Sequence, residues 1–154
     1  MKRLHVHVGV SDLEKSIRYY TALFGSGPTK EESGYAKWML EEPRVNFAIS
    51  SRCGEPGVSH LGIQVDSEEE LAELRARAEA ANAEGLIDEG QTTCCYAQSE
   101  KHWSVDPQGV AWEHFLTIGD AEQYGDHGPV ELIGEAAGAE QVRTRRAGCG
   151  CGCG

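Results

Sequence analysis

His5 and His60 occupy the same place in two copies of one pattern, 55 residues apart, and a carboxylate, Glu113, stands near the end of the second copy. Two imidazoles and one carboxylate are the donor set of a facial triad, which grips a divalent ion on one side and leaves its other positions open. These donors suit iron(II), manganese or zinc, and the open positions let substrate and oxygen bind together. Spacing does not choose among the ions. Taken singly, each residue reads as an ordinary sheet histidine or a solvated strand carboxylate, because a lone histidine is rarely a ligand. Taken as a repeat-related set on one face, they read as ligands. His7 shares that face and competes with His5, whereas His114 alternates away from Glu113. His102 and His127 have no such support.

The second feature with chemical meaning is the thiols. Six cysteines fall at Cys53, Cys94, Cys95, Cys149, Cys151 and Cys153, in clusters unlike a disulfide framework. Thiols in adjacent or alternate positions suit soft metals and metalloids.

The elements that position these residues follow from periodicity. Leu4, Val6, Val8 and Val10 alternate with His5 and His7, which predicts a strand with one wet face. Ser11 with Glu14 makes a capping box, and a helix with an apolar stripe of Leu13, Ile17, Tyr20, Leu23 and Phe24 runs to a stop at Gly25. Strands are expected around 35–40 and 45–49, parted by the turn signal Glu42-Pro43. From Ser59 the pattern restarts. Leu61, Ile63 and Val65 face one way, and His60, Gly62 and Gln64 the other. Ser67 and Glu70 repeat the capping box, and a helix through Leu71, Leu74 and Ala78 ends near Gly85. Further strands are expected near 92–96, 102–105 and 110–118. Aligning the last strands of the two halves sets Ala48 where the second half has Glu113. Such duplication defines an architecture before any fold is guessed.

At 154 residues with 40% hydrophobic and 25% charged side chains, the chain has the makings of one self-sufficient globular domain. Its net charge of -11 repels phosphate backbones and anionic headgroups, which argues against nucleic-acid and membrane partners. No apolar run approaches the roughly 20 residues of a membrane span, and the opening residues carry no apolar core of signal-peptide length. A cytoplasmic location with reduced thiols is expected. Beyond Asp120 the chain turns rich in Gly, Ala and Glu and ends in a Gly-Cys alternation, a composition expected to be a flexible tail.

His5 seven residues before Asp12, the module opening Ser59-His60-Leu61-Gly62, and Asp106-Pro107-Gln108-Gly109 leading to Trp112-Glu113 together resemble the vicinal oxygen chelate superfamily. That superfamily includes glyoxalase I, extradiol dioxygenases and fosfomycin resistance thiol transferases. The resemblance covers roughly residues 2 to 118. It implies an α+β fold in which two βαβββ modules, about 1–52 and 57–120, form one cupped mixed sheet in a single domain over 1–120, with 121–154 as the tail. It carries over His5, rather than His7, as the first ligand. A glyoxalase-type site uses a second carboxylate from the other module. Ala48 at that place argues for a three-ligand site.

Within the superfamily, Gln91-Thr92-Thr93-Cys94-Cys95-Tyr96 and Lys101-His102-Trp103-Ser104-Val105-Asp106-Pro107 are similar to the carbon-arsenic lyases and the related cadmium-induced proteins. The resemblance implies a nonheme iron(II) enzyme with O2 as co-substrate, with manganese, zinc, cobalt or nickel as alternative ions. The implied reaction releases arsenite from trivalent organoarsenicals such as methylarsenite or aromatic arsenicals, by a monomer or homodimer. Cys94 and Cys95 would bind the substrate, because trivalent arsenic carrying one organic group has two valences left for thiolate sulfur. Adjacent residues of a regular strand face opposite ways, so the pair can grip one atom only in a loop or bulge. Packing as small apolar side chains, or a vicinal disulfide, are the plainer alternatives for the pair. Tyr96, Lys101 and Trp103 read as packing and surface residues. Two further readings stay open: a non-catalytic cadmium- or arsenite-binding stress protein, and a metal-dependent thiol transferase or isomerase of the same fold.

Overall fold

The structure, a computed structural model, describes residues 1–52, 55–81, 86–94 and 97–120. Its first module runs β1 (Arg3–Gly9), α1 (Leu13–Phe24), β2 (Lys30–Glu32), β3 (Tyr35–Glu41) and β4 (Arg44–Ser50). The second repeats the order with β5 (Gly57–Val65), α2 (Glu68–Ala81), β6 (Ile87–Cys94), β7 (Ala97–Val105) and β8 (Ala111–Asp120). Both are βαβββ units. Among the described residues no helix is long and apolar enough to cross a membrane.

All eight strands join one mixed, open sheet in the order β2-β3-β4-β1-β5-β8-β7-β6. The first strand of each module pairs in parallel with the last, β1 with β4 and β5 with β8, and the modules meet where β1 runs antiparallel to β5. The register confirms the aligned repeat. Ala48 is the partner of His7, and Glu113 is the partner of Gly62, the residue equivalent to His7 in the second module.

The helices form because each has a cap and an apolar stripe. Gly25, in the left-handed conformation, ends α1 as expected. Its N-cap is Asp12 rather than Ser11: the Asp12 side chain accepts from the Lys15 amide at 2.9 Å, the shorter reach of two candidates one residue apart. Ser67 caps α2, its hydroxyl accepting from the Glu70 amide. Leu13, Ile17, Tyr20 and Phe24 pack with Val6 and Val8 over Trp38, Phe47 and Ile49, while Leu71 and Leu74 pack on Ile63, Val65 and Leu116. Both helices therefore cover the same face of the sheet.

The other face carries the histidines, and its burial corrects an expectation. It is not wet: His5, His7, Asn46, Ser50, Lys101 and Glu113 are all buried, although no described helix lies over them. The strands curl around this face, so that side chains of distant strands close on each other, with the Phe115 ring edge-on to His5 and Trp103 edge-on to His60. Sequence alternation separates the two faces but does not reveal such curvature. The βαβββ order requires a strand after α1, but the residue pattern marked none at β2, and β6 starts at Ile87, five residues before the expected strand. The tail, Cys53, Cys95, Tyr96 and Gly85 lie outside the described residues.

Candidate metal centre

His5 lies in the middle of β1, where alternation turns it away from the helices, and its Cα partners are Asn46 on β4 and Gly62 on β5. Gly62 is in turn the partner of Glu113, and Glu113 of Trp103, so one row across the sheet runs Asn46, His5, Gly62, Glu113, Trp103. His60 enters from the next row, opposite His7. There β5 holds one extra residue, Ser59, in a bulge between the His7 and Val8 positions. Bulges of this kind re-aim a side chain.

Three atoms converge at the centre of the face. His5 Nε2 lies 3.3 Å from His60 Nε2, and each is 3.5 Å from Glu113 Oε2. Metal bonds of about 2.0–2.2 Å at a tetrahedral or octahedral ion set neighbouring donors roughly 3.0–3.5 Å apart. The observed triangle fits. The tautomer fits as well, since the Asn46 carbonyl can only accept, so the His5 Nδ1 3.0 Å away carries the hydrogen and Nε2 presents its lone pair. His60 Nδ1 is 3.1 Å from Ser59 Oγ, which can accept from it in the same way. Three lone pairs facing one another at this spacing repel unless a cation lies between them. His5, His60 and Glu113 could thus hold a divalent ion, and the match of donors, tautomer and spacing is made by this chain's own residues.

The electrostatics keep the donors in ligating form. Burial pushes the His5 imidazole down to about 4, partly opposed by the Glu113 charge. His7 is lowered by burial and then by His60 and His5. Burial alone would raise the Glu113 carboxyl, but the Lys101 ammonium and the neighbouring His60 and His5 imidazoles hold it well below the usual carboxylate range.

His7 remains part of this centre, since its ring stands edge-on to His60 at 4.8 Å and the donor atoms of His5, His7 and His60 all lie within 4.8 Å of one another. Lys101, read from sequence as a packing or surface residue, is buried and places Nζ 2.7 Å from Glu113 Oε1. Only the register of β7, which sets Lys101 on the face of Trp103, could have flagged it. Trp103 and Val105 form an apolar wall with Ile87 and Ala111 beside His60.

Cys94 stands in another part of the sheet. Cys94 ends β6 with Ala97 as its partner, six residues along β7 from Trp103, the partner of Glu113. At about 3.3 Å per residue that is on the order of 20 Å measured along the strand. The bulge beside Gly90 falls between Asp88 and Gly90. His114 faces away from Glu113 as expected and stacks on His102 at 4.9 Å.

Residues 2–114 match the family model of the Glyoxalase/Bleomycin resistance protein/Dioxygenase superfamily. Over 137 residues the chain is 42% identical to a trivalent organoarsenical cleaving enzyme of a Bacillus species, covering 88% of this chain and 85% of that one. It is 35% identical over 129 residues to the cadmium-induced protein CadI of Mycobacterium bovis, covering 81% and 82%. Among solved structures, a glyoxalase/bleomycin resistance protein/dioxygenase superfamily member from Vibrio splendidus superposes with a TM-score of 0.54 at 15% identity, covering 77% of this chain and all of that one. At that identity the likeness concerns the fold alone.

Proposed function

We propose that this chain, which belongs to the Glyoxalase/Bleomycin resistance protein/Dioxygenase superfamily, cleaves the carbon-arsenic bond of trivalent organoarsenicals and releases arsenite, as a nonheme iron(II)-dependent dioxygenase. The observation that carries the reading is the 42% identity, over most of both chains, to a trivalent organoarsenical cleaving enzyme. The convergence of buried His5 and Glu113 with half-buried His60 supports its metal dependence.

In this reading His5, His60 and Glu113 hold the iron, which supplies a binding place for oxygen and the electrons that begin its reduction. The Asn46 carbonyl fixes the His5 ring so that Nε2 faces the ion. Trp103, Val105, Ile87 and Ala111 offer the organic group of the substrate an apolar wall and exclude water from it. Cys94 and Cys95 capture trivalent arsenic through two thiolate bonds, chemistry that a pair of hydroxyls cannot supply; with Cys94 six residues along the sheet from the row of Glu113, that capture precedes cleavage and the arsenical passes on to the metal centre. The products are arsenite and an oxidised organic fragment.

The likeness to a cadmium-induced protein favours one second reading, sequestration of cadmium or arsenite by the thiols without turnover. Arsenic speciation after incubation of the iron(II)-loaded protein with methylarsenite separates the two. Catalysis yields arsenite in many-fold excess over protein, and His60→Ala abolishes it together with iron retention. Arsenic held on the protein at fixed stoichiometry, with no free arsenite, would overturn the enzymatic reading.

A further inference from the structure

Lys101 is 3% exposed, and its basic side chain lies among the buried groups of the histidine face. Its Nζ sits 2.7 Å from Glu113 Oε1 and 5.9 Å from the centre of the Trp103 ring. The other carboxylate oxygen, Oε2, is the one 3.5 Å from both His5 Nε2 and His60 Nε2. The two oxygens of Glu113 are thus divided between an ammonium and the imidazole pair. Stability alone does not account for this, because replacing a buried ion pair by apolar side chains of similar volume is often neutral or stabilising. Met or Leu beside Trp103 and Phe115 would serve packing better.

We propose that Lys101 is a positioning residue that occupies Oε1 of Glu113, so that the carboxylate offers a single oxygen to an ion at the His5 and His60 pair and leaves coordination positions open for reactants. The inference rests on the metal-dependent reading above. A carboxylate free at both oxygens can bind an ion through both, and each such contact removes a position from substrate or oxygen. The ammonium also repels the ion directly. Both effects weaken metal binding while keeping the ion accessible, the reverse of what a purely structural lysine would do.

The test uses cobalt(II), whose absorption reports coordination number without turnover, with affinity measured by chelator competition at pH 8. Lys101→Met should bind cobalt tighter, on the order of tenfold, with weaker visible bands as the coordination number rises. Its iron form should lose kcat for arsenite release with KM little changed, and Lys101→Arg should restore the native spectrum. Lys101→Gln makes the same comparison if the methionine variant does not fold. A cobalt affinity and spectrum equal to those of the unmodified protein, or a weaker affinity, would overturn the inference. Failure of the unmodified protein to bind cobalt at all would remove the metal-dependent reading and this inference together. Normal binding that is lost in His60→Ala but unaltered in Lys101→Met removes this inference alone.

Discussion

Gly62 and Glu113 are so closely apposed on β5 and β8 that a β-carbon on Gly62 would collide with the Glu113 carbonyl oxygen and lie 3.2 Å from Glu113 Cβ. In the first module the equivalent place holds a histidine, His7, opposite the small Ala48. The module that carries the carboxylate thus lacks a side chain at the position between that carboxylate and His5. Gly62→Ala should force β8 outward, with an overpacking cost of about 1–3 kcal/mol. Calorimetry should show a lowered melting temperature, and cobalt(II) titration a weakened site. Native melting and native cobalt affinity in this variant would mean that the strand spacing at Gly62 does not set the position of Glu113.

Stability should fall in mild acid. Burial lowers His5 and His102 to about 4 in the folded protein, against 6.5 for an ordinary histidine. Between those values the unfolded chain takes up protons that the folded chain does not, so stability is complete above pH 6.5 and declines as pH falls, the part carried by His5 and His102 levelling near pH 4 while that of His7, lowered further, continues to fall. The slope is about 1.4 kcal/mol per pH unit for each histidine. Glu113, held well below its usual range, contributes in full above its unfolded value of 4.5 and loses that contribution as pH falls from there through its lower folded value. Melting of the metal-free protein followed from pH 8 to 4 checks this; a flat profile between pH 6.5 and 4.5 would contradict it.

The thiol pair is predicted to serve substrate and not metal. Cys94→Ser and Cys95→Ser replace a soft thiolate with a hard, protonated hydroxyl at nearly constant size. Each variant should retain stoichiometric iron(II) while losing methylarsenite binding and arsenite release. Undiminished release from both would leave a metalloenzyme whose substrate is recognised by other groups.

Much of this architecture is legible in the sequence because alternation and capping are local. The Leu4 to Val10 alternation, its restart at Ser59, and the stop at Gly25 each depend on a few neighbouring residues, and each element appears where expected. The Ala48 and Glu113 equivalence was also readable, since two copies of one module share a register. What local patterns could not give was curvature and long-range register. The histidine face is buried although no described helix covers it, and no property of β1 announces that. Lys101 acquires its role only when β7 pairs with β8 and sets it two residues from the partner of Glu113. The distance between Cys94 and the three donors likewise depends on how far the β6 and β7 hairpin extends, which composition does not fix.

The central claim, oxygen-dependent cleavage at an iron held by His5, His60 and Glu113, is tested most directly by loading the protein with iron(II) under anaerobic conditions. Methylarsenite is then supplied with and without air, while oxygen uptake and arsenite are followed together. Arsenite release with matching oxygen consumption is expected in air, and none in its absence. Arsenite released at the same rate without oxygen would contradict it.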